Sequence, residues 1–227
     1  GILVFQRDLG TSLMFFGVFV ILLCVATERP GWVVIGGGLF LAGAYFGYQV
    51  FGHVRIRVNA WLHPFAEENK ETAYQIVESL YGLAYGGVLG RGLGQGYPDL
   101  VPIAHSDFII AALGEELGVT GLMAIILLYG VIVERGLRTA LLCRDQFGKL
   151  LAAGFAAVFA LQVFVVIGGV TKLIPLTGLT TPFLSYGGSS LVANWALVAL
   201  LLRISDYARR PPAPVPARSG TAAGTPA

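Results

Sequence analysis

Residues 101–118, VPIAHSDFIIAALGEELG, gather His105, Ser106, Asp107, Glu115 and Glu116 into a short window of a chain that is 56% hydrophobic and only 12% charged. Carboxylates suit acid–base chemistry: one can take a proton from an attacking hydroxyl, and a pair can flank a glycosidic bond at about 5–9.5 Å. In a helix beginning here, Ser106 is a good N-cap and Asp107 falls in the first turn, where a carboxylate meets the helix dipole. Glu115, eight residues on, then lies ~12 Å along and about 80° around, sharing a flank with Asp107 while Glu116 points to the other side. Asp107 and Glu115 are thus too far apart for a glycosidase pair. A carboxylate at membrane depth is costly unless it is paired or lines a wet cavity. Glu115 and Glu116 therefore either hold neighbouring helices together or face a polar substrate cleft.

Other chemistry-bearing residues surround this window. The stretch 171–190, TKLIPLTGLTTPFLSYGGSS, has two prolines and Gly178 to break a helix, and Lys172 as its one basic residue. Lys172 either snorkels from a helix end or holds an anionic substrate head together with Asp107. Arg55 and Arg57 follow an apolar run, as interfacial anchors or as a site for an anionic head group. Trp61, in AWLHPF, fits an aromatic belt. In YQIVESLYGLAYGGVLGRGLGQG, residues 74–96, Gln75, Glu78 and Ser79 lie within one helical turn, and the glycines make a helix past Tyr85 improbable. Glycine-rich backbone can cradle phosphate. Here it follows no predicted strand and lacks dinucleotide context, so a tight turn is the expectation.

The elements that must position these groups are membrane helices. Mean hydropathy is +0.74, and five nearly charge-free runs approach the roughly 20 residues that cross a bilayer: 9–27, 31–51, 117–133, 150–170 and 187–202. Backbone in hydrocarbon must pair internally, and five isolated spans cannot close a barrel, so the fold class is all-α, a polytopic helical membrane protein. The segment 52–116 forms a long outer loop, longer than a mere connection requires. Basic residues divide unevenly between the two sides. Arg29, Arg135, Arg138, Arg144, Lys149, Arg203, Arg209, Arg210 and Arg218 share one side with four carboxylates, against six basic and nine acidic residues on the other. The richer side is expected to be cytoplasmic, which places the outer loop extracytoplasmic and the C-terminus cytoplasmic. Residues 1–210 make one membrane domain, and 211–227, rich in Pro, Ala and Gly, a disordered tail. No signal peptide is recognisable at the start, and the chain reads as the C-terminal part of something longer. Cys24 and Cys143 lie in settings too different for a disulfide or a metal pair. No metal-spacing or nucleotide motif appears, and no nucleic-acid partner is expected.

Four ordered motifs carry a resemblance: QRDLGTS at 6–12, YQIVES at 74–79 with glycines to Gly96, AHSDFIIAALGEELG at 104–118, and PLTGLTTPFLSYGGSS at 175–190. Together they resemble the SEDS family (shape, elongation, division and sporulation proteins), closer to its elongation branch than to its division branch. Departures are Arg7 in place of a usual Pro, Glu78 in place of Gln, Ile103 in place of Glu, and Thr177 in place of a lysine that some division members carry.

The resemblance implies ten helices in the complete fold, of which these are the last five, in a bacterial inner (plasma) membrane. It implies peptidoglycan glycosyltransfer: lipid II polymerised into glycan strands for elongation and cell shape, with a class B penicillin-binding protein transpeptidase as partner. An acceptor hydroxyl attacks the anomeric carbon of a lipid-linked donor and expels a polyprenyl pyrophosphate, which requires a base and a stabiliser of the leaving group. Asp107 takes the position of the family's essential aspartate and is the expected base. Asp99, His105, Glu115, Glu116, Gln75 and Ser189 are expected to bind substrate. Lys172, Arg57, Arg91 and the glycine-run backbone are candidates for the pyrophosphate, with a divalent cation a further candidate and no other cofactor named. The alternatives are a carrier that moves a lipid-linked precursor across the bilayer, and a non-catalytic membrane scaffold for a cell-wall synthase. A carrier needs ionisable groups along a path through the spans, which hold few besides Glu115 and Glu116.

Overall fold

The computed structural model describes residues 9–97, 100–101 and 104–210, and among these the protein is all helical, with no strand. Seven α-helices follow in order: α1 (Leu9–Thr27), α2 (Gly31–Val50), α3 (Gly52–Leu62), α4 (Lys70–Gly86), α5 (Ile109–Leu142), α6 (Gln146–Val170) and α7 (Gly188–Arg209). Five of them, α1, α2, α5, α6 and α7, are long and apolar enough to cross a membrane.

Helix α6 is the central post, packed by α1, α5 and α7. It is built from small residues, with Ala152, Ala153, Gly154, Ala156 and Ala157 all buried, and such residues let helix backbones approach closely where lipid offers no hydrophobic driving force. Asp145 starts it, its carboxylate accepting from the Gly148 N–H at 2.6 Å.

Two apolar runs underestimate their helices. The run expected at 117–133 belongs to α5, which has 34 residues and a length of about 50 Å. Its N-terminal end takes in Glu115 and Glu116, where Tyr97 and Arg91 meet the Glu115 carboxylate and the Gly92 N–H meets the Glu116 carbonyl. At the other end, Glu134 pairs with Arg138 one turn on at 2.6 Å, so charge does not end the helix. Similarly α7 runs past Leu202 to Arg209, supported by Asp206 and Arg210 at 2.6 Å.

The described residues of 52–116 are mostly helical. Phe51 is extended (φ −104°, ψ 111°) and breaks α2 from α3. Asn69 closes the turn into α4 by donating to the His63 carbonyl at 2.9 Å. Helix α4 buries Ala73, Ile76, Ser79, Gly82 and Gly86 on one face, against α5. It stops at Gly86 and Gly87 (φ 55°), as the glycine run predicts.

Candidate active site

Asp107 does not begin a helix. It lies in a turn, and α5 starts two residues later with Phe108 at the cap position and no side-chain cap. Ser106 is not the N-cap either: its hydroxyl donates to Asp107 Oδ1 at 2.8 Å. The expected placement of Asp107 on one helical flank with Glu115 therefore fails. Tertiary bonds hold the turn instead, with Tyr186 N–H donating to the His105 carbonyl at 2.8 Å and the Ser185 hydroxyl donating to the Ser106 carbonyl at 2.6 Å. Phe108, Ile110 and Ala111 anchor its far side in a core with Val166 and Val170 of α6.

The 171–187 segment is the opposing wall. It is not helical, and neighbours from every side fix it. Gln162 of α6 donates to the Thr180 carbonyl at 2.8 Å, Tyr129 of α5 donates to the Pro182 carbonyl at 2.6 Å, and Thr180 shares a 2.8 Å hydroxyl bond with Ser190 of α7. Trp61 of α3 spends its indole N–H on the Lys172 carbonyl at 3.0 Å, tying α3 to this wall. Thr181 N–H donates to the Ser185 hydroxyl at 2.7 Å. Gly178 (φ 72°) presents bare backbone to the carboxylate: a Cβ there would stand 3.7 Å from Asp107 Oδ2. On the other side of this wall, a Cβ on Gly10 would stand 2.7 Å from Thr177 Cβ. Asp107 thus lies against the 175–190 motif, and the 6–12 motif packs on the same wall at Thr177.

Asp107 is half-buried and, among the described residues, has no cationic partner and caps no helix. His105 is exposed with its ring edge-on to Tyr186 at 5.8 Å. Ser189 is exposed in the first turn of α7. Lys172 holds a left-handed backbone (φ 61°) and has no ion pair among the described residues. The structure gives no bond between Lys172 and Asp107. Arg57 is exposed on α3, and Gln75 is half-buried on α4. Asp99 lies outside the described residues, as does the tail from 211 to 227. No group of three His, Cys, Asp or Glu side chains converges among the described residues.

Arg91, Glu115 and Glu116 form a separate cluster around a break in α5. Gly118 (φ 67°, ψ −171°) interrupts the helix, which strands carbonyls before it and N–H groups after it. The glycine run repairs the gap. Arg91 and Gly92 N–H donate to the Glu115 and Glu116 carbonyls at 3.0 and 2.9 Å, and Val119 and Thr120 N–H donate to the Gly87 and Val88 carbonyls at 3.0 and 3.1 Å. The N–H groups of Gly90, Arg91, Gly92 and Gln95 are all engaged by protein carbonyls. They are therefore not free for phosphate, which removes this part of the run from the pyrophosphate candidates. The approach requires glycine: a Cβ on Gly86 would strike the Gly114 carbonyl, and one on Gly90 the Glu116 carbonyl.

Glu115 is buried, with Oε1 accepting from Tyr97 N–H at 3.2 Å and lying 3.8 Å from Arg91 Nη1. The Arg91 guanidinium lies 5.0 Å from the Tyr85 ring and 5.9 Å from the Tyr97 ring. Of the two roles open to Glu115, the geometry is that of a residue holding elements together. Sequence reasoning missed Ser185, Tyr186, Gln162 and Tyr129 as site supports. The SYGG motif was a local signal for Ser185 and Tyr186, and Gln162 and Tyr129 had none.

A family model described as "Cell cycle protein", FtsW/RodA/SpoVE, matches residues 1–210, and the chain belongs to that family. It is an integral membrane protein. It is 57% identical over 227 residues to peptidoglycan glycosyltransferase RodA of Mycobacterium bovis, covering 99% of this chain and 48% of that protein. It is 39% identical over 213 residues to a probable peptidoglycan glycosyltransferase FtsW of Geobacter metallireducens, covering 93% of this chain and 56% of that one. A solved structure from "Structural coordination of polymerization and crosslinking by a peptidoglycan synthase complex" superposes with a TM-score of 0.74 at 27% identity, over 93% of this chain and 59% of that chain. The chain spans about half the length of the curated relatives it matches.

Proposed function

We propose that this chain carries the catalytic outer face of a peptidoglycan glycosyltransferase that polymerises lipid II during elongation. The observation that carries the proposal is Asp107: a half-buried carboxylate, oriented by one hydroxyl, paired with no cation among the described residues, and held against the bare backbone of Gly178 in the 175–190 motif. A carboxylate held this way is placed to serve as a general base. Asp107 removes the proton of the acceptor sugar hydroxyl as that oxygen attacks the donor's anomeric carbon, and the C–O bond to the polyprenyl pyrophosphate breaks. With Arg91 paired and the N–H groups of Gly90, Arg91, Gly92 and Gln95 engaged, Lys172 and Arg57 are the candidate cations left to meet the leaving group. The 57% identity to a RodA, against 39% to an FtsW, supports the elongation branch.

The proposed partner is a class B penicillin-binding protein transpeptidase. The open apolar groove between α5 and α6, lined by Ile126, Tyr129, Val133, Val163, Phe164 and Ile167, supplies a membrane-embedded face of the kind that takes a single apolar helix. Full-length protein purified with that partner is expected to convert lipid II into glycan strands in detergent, where there is no bilayer to cross. Lipid II movement across vesicles without strand formation would contradict the reading and favour a carrier.

The proposed setting is a bacterial plasma membrane with the Asp107 face outside and the C-terminus inside. Cys143, between α5 and α6, is a native reporter of that orientation. Burial, then the Asp145 carboxylate, push its thiol above the ordinary range, so little thiolate exists at neutral pH. With Cys24 and any cysteine elsewhere in the full-length protein replaced by Ser, a membrane-impermeant maleimide is expected to label Cys143 in inverted vesicles only. Its rate should still climb at a pH where an exposed thiol has levelled off. Labelling from the outside of intact cells would reverse the topology.

A further inference from the structure

We propose that Arg91 and Glu115 form a positioning pair that sets the placement of Asp107, a role that rests on the polymerase reading above. Residues 104–117 act as a strut. At one end is the Asp107 turn, bonded to Ser185 and Tyr186; at the other, beside the break at Gly118, is Glu115. The Glu115 end is held by the glycine run, and Arg91 is the one residue of that run that contributes both a backbone donor, to the Glu115 carbonyl, and a side-chain cation, to the Glu115 carboxylate. Tyr85 and Tyr97 flank the guanidinium, and the Tyr97 N–H shares the same carboxylate oxygen.

A buried carboxylate that loses its cation is left uncompensated, and the strut then loses its fixed end. Between its ends the strut is seated by Phe108, Ile110 and Ala111, so a shift at Glu115 is carried as a rigid displacement to Asp107 rather than absorbed. Arg91 thereby changes from a pyrophosphate ligand, as its residue type suggested, to a residue that acts through Asp107.

The test uses full-length protein with its transpeptidase partner and lipid II as substrate, comparing Arg91→Gln, Arg91→Lys, Glu115→Gln and the Arg91→Gln/Glu115→Gln double variant. A displaced base costs turnover, so kcat is expected to fall by about 10- to 100-fold with KM for lipid II unchanged within about twofold. The double variant should be no worse than the poorer single one, and Arg91→Lys should recover part of the loss. A raised KM with kcat kept would make Arg91 a substrate ligand and overturn the proposal, as would additive losses or wild-type kinetics throughout. Thermal melts of the same four proteins, read without lipid II, should show non-additive coupling. Additive melts would overturn the pair even if polymerisation itself were never observed. If Arg91→Gln does not fold, Arg91→Lys and Glu115→Asp carry the same comparison.

Discussion

Replacing Asp107 with Asn is expected to lower lipid II polymerisation by about 10²- to 10⁴-fold, the range that loss of a general base produces. Asn keeps the size of the side chain and an oxygen to accept the Ser106 hydroxyl bond. Had Asp107 begun a helix, the substitution would also have removed a favourable dipole interaction. It begins none and pairs with no cation among the described residues, so the melting transition should move by no more than about 0.5 kcal/mol. Activity and stability are therefore expected to separate cleanly. A scaffold would tolerate the change in both, while a variant that lost stability and activity together would point to a structural role.

Gly118→Ala should show the opposite pattern, with stability failing first. Gly118 has φ 67° and ψ −171°, a region open to essentially no residue but glycine, at a cost of roughly 1–3 kcal/mol for any other. A Cβ there would also strike the Gly90 nitrogen and stand 2.5 Å from the Val88 carbonyl oxygen, both backbone atoms that cannot rotate away. The four backbone bonds that repair the break would be forced apart. A loss of about 3 kcal/mol is expected, read as a fall in the thermal midpoint of roughly 6–12 °C. Gly52→Ala, at a surface position with nothing within 4 Å of the added carbon, is the control and should leave the midpoint unchanged or slightly raised. Equal melts for the two variants would mean that the break in α5 is not a designed feature.

The five apolar helices were legible because hydrocarbon imposes a constraint that composition records directly. The errors fell where a distant partner overrode a local signal. Ser106 followed by Asp107 has the look of a helix start, but bonds from Ser185 and Tyr186, some eighty residues away, hold both as a turn. Glu115 seemed to mark the end of a span because an unpaired carboxylate would, yet Arg91 and Tyr97 satisfy it inside the helix. The glycine run was correctly expected to turn. Its partner, the break at Gly118, could not be read, since Gly118, one of three glycines in GEELGVTG, gives no sign in sequence of its positive φ. Residue types drew attention to Asp107, Lys172 and the loop at 171–190, because carboxylate, cation and helix-breaking residues are rare in so apolar a chain, while the role proposed for Asp107 came from the family resemblance.

The most direct test of the central claim is the turnover of bound lipid II by full-length Asp107→Asn protein in complex with its transpeptidase, beside wild type in the same membranes. The account predicts that the variant inserts, binds its partner and binds lipid II with unchanged affinity, yet forms glycan strands at least a hundredfold more slowly. Strand formation at the wild-type rate by such a variant would contradict it.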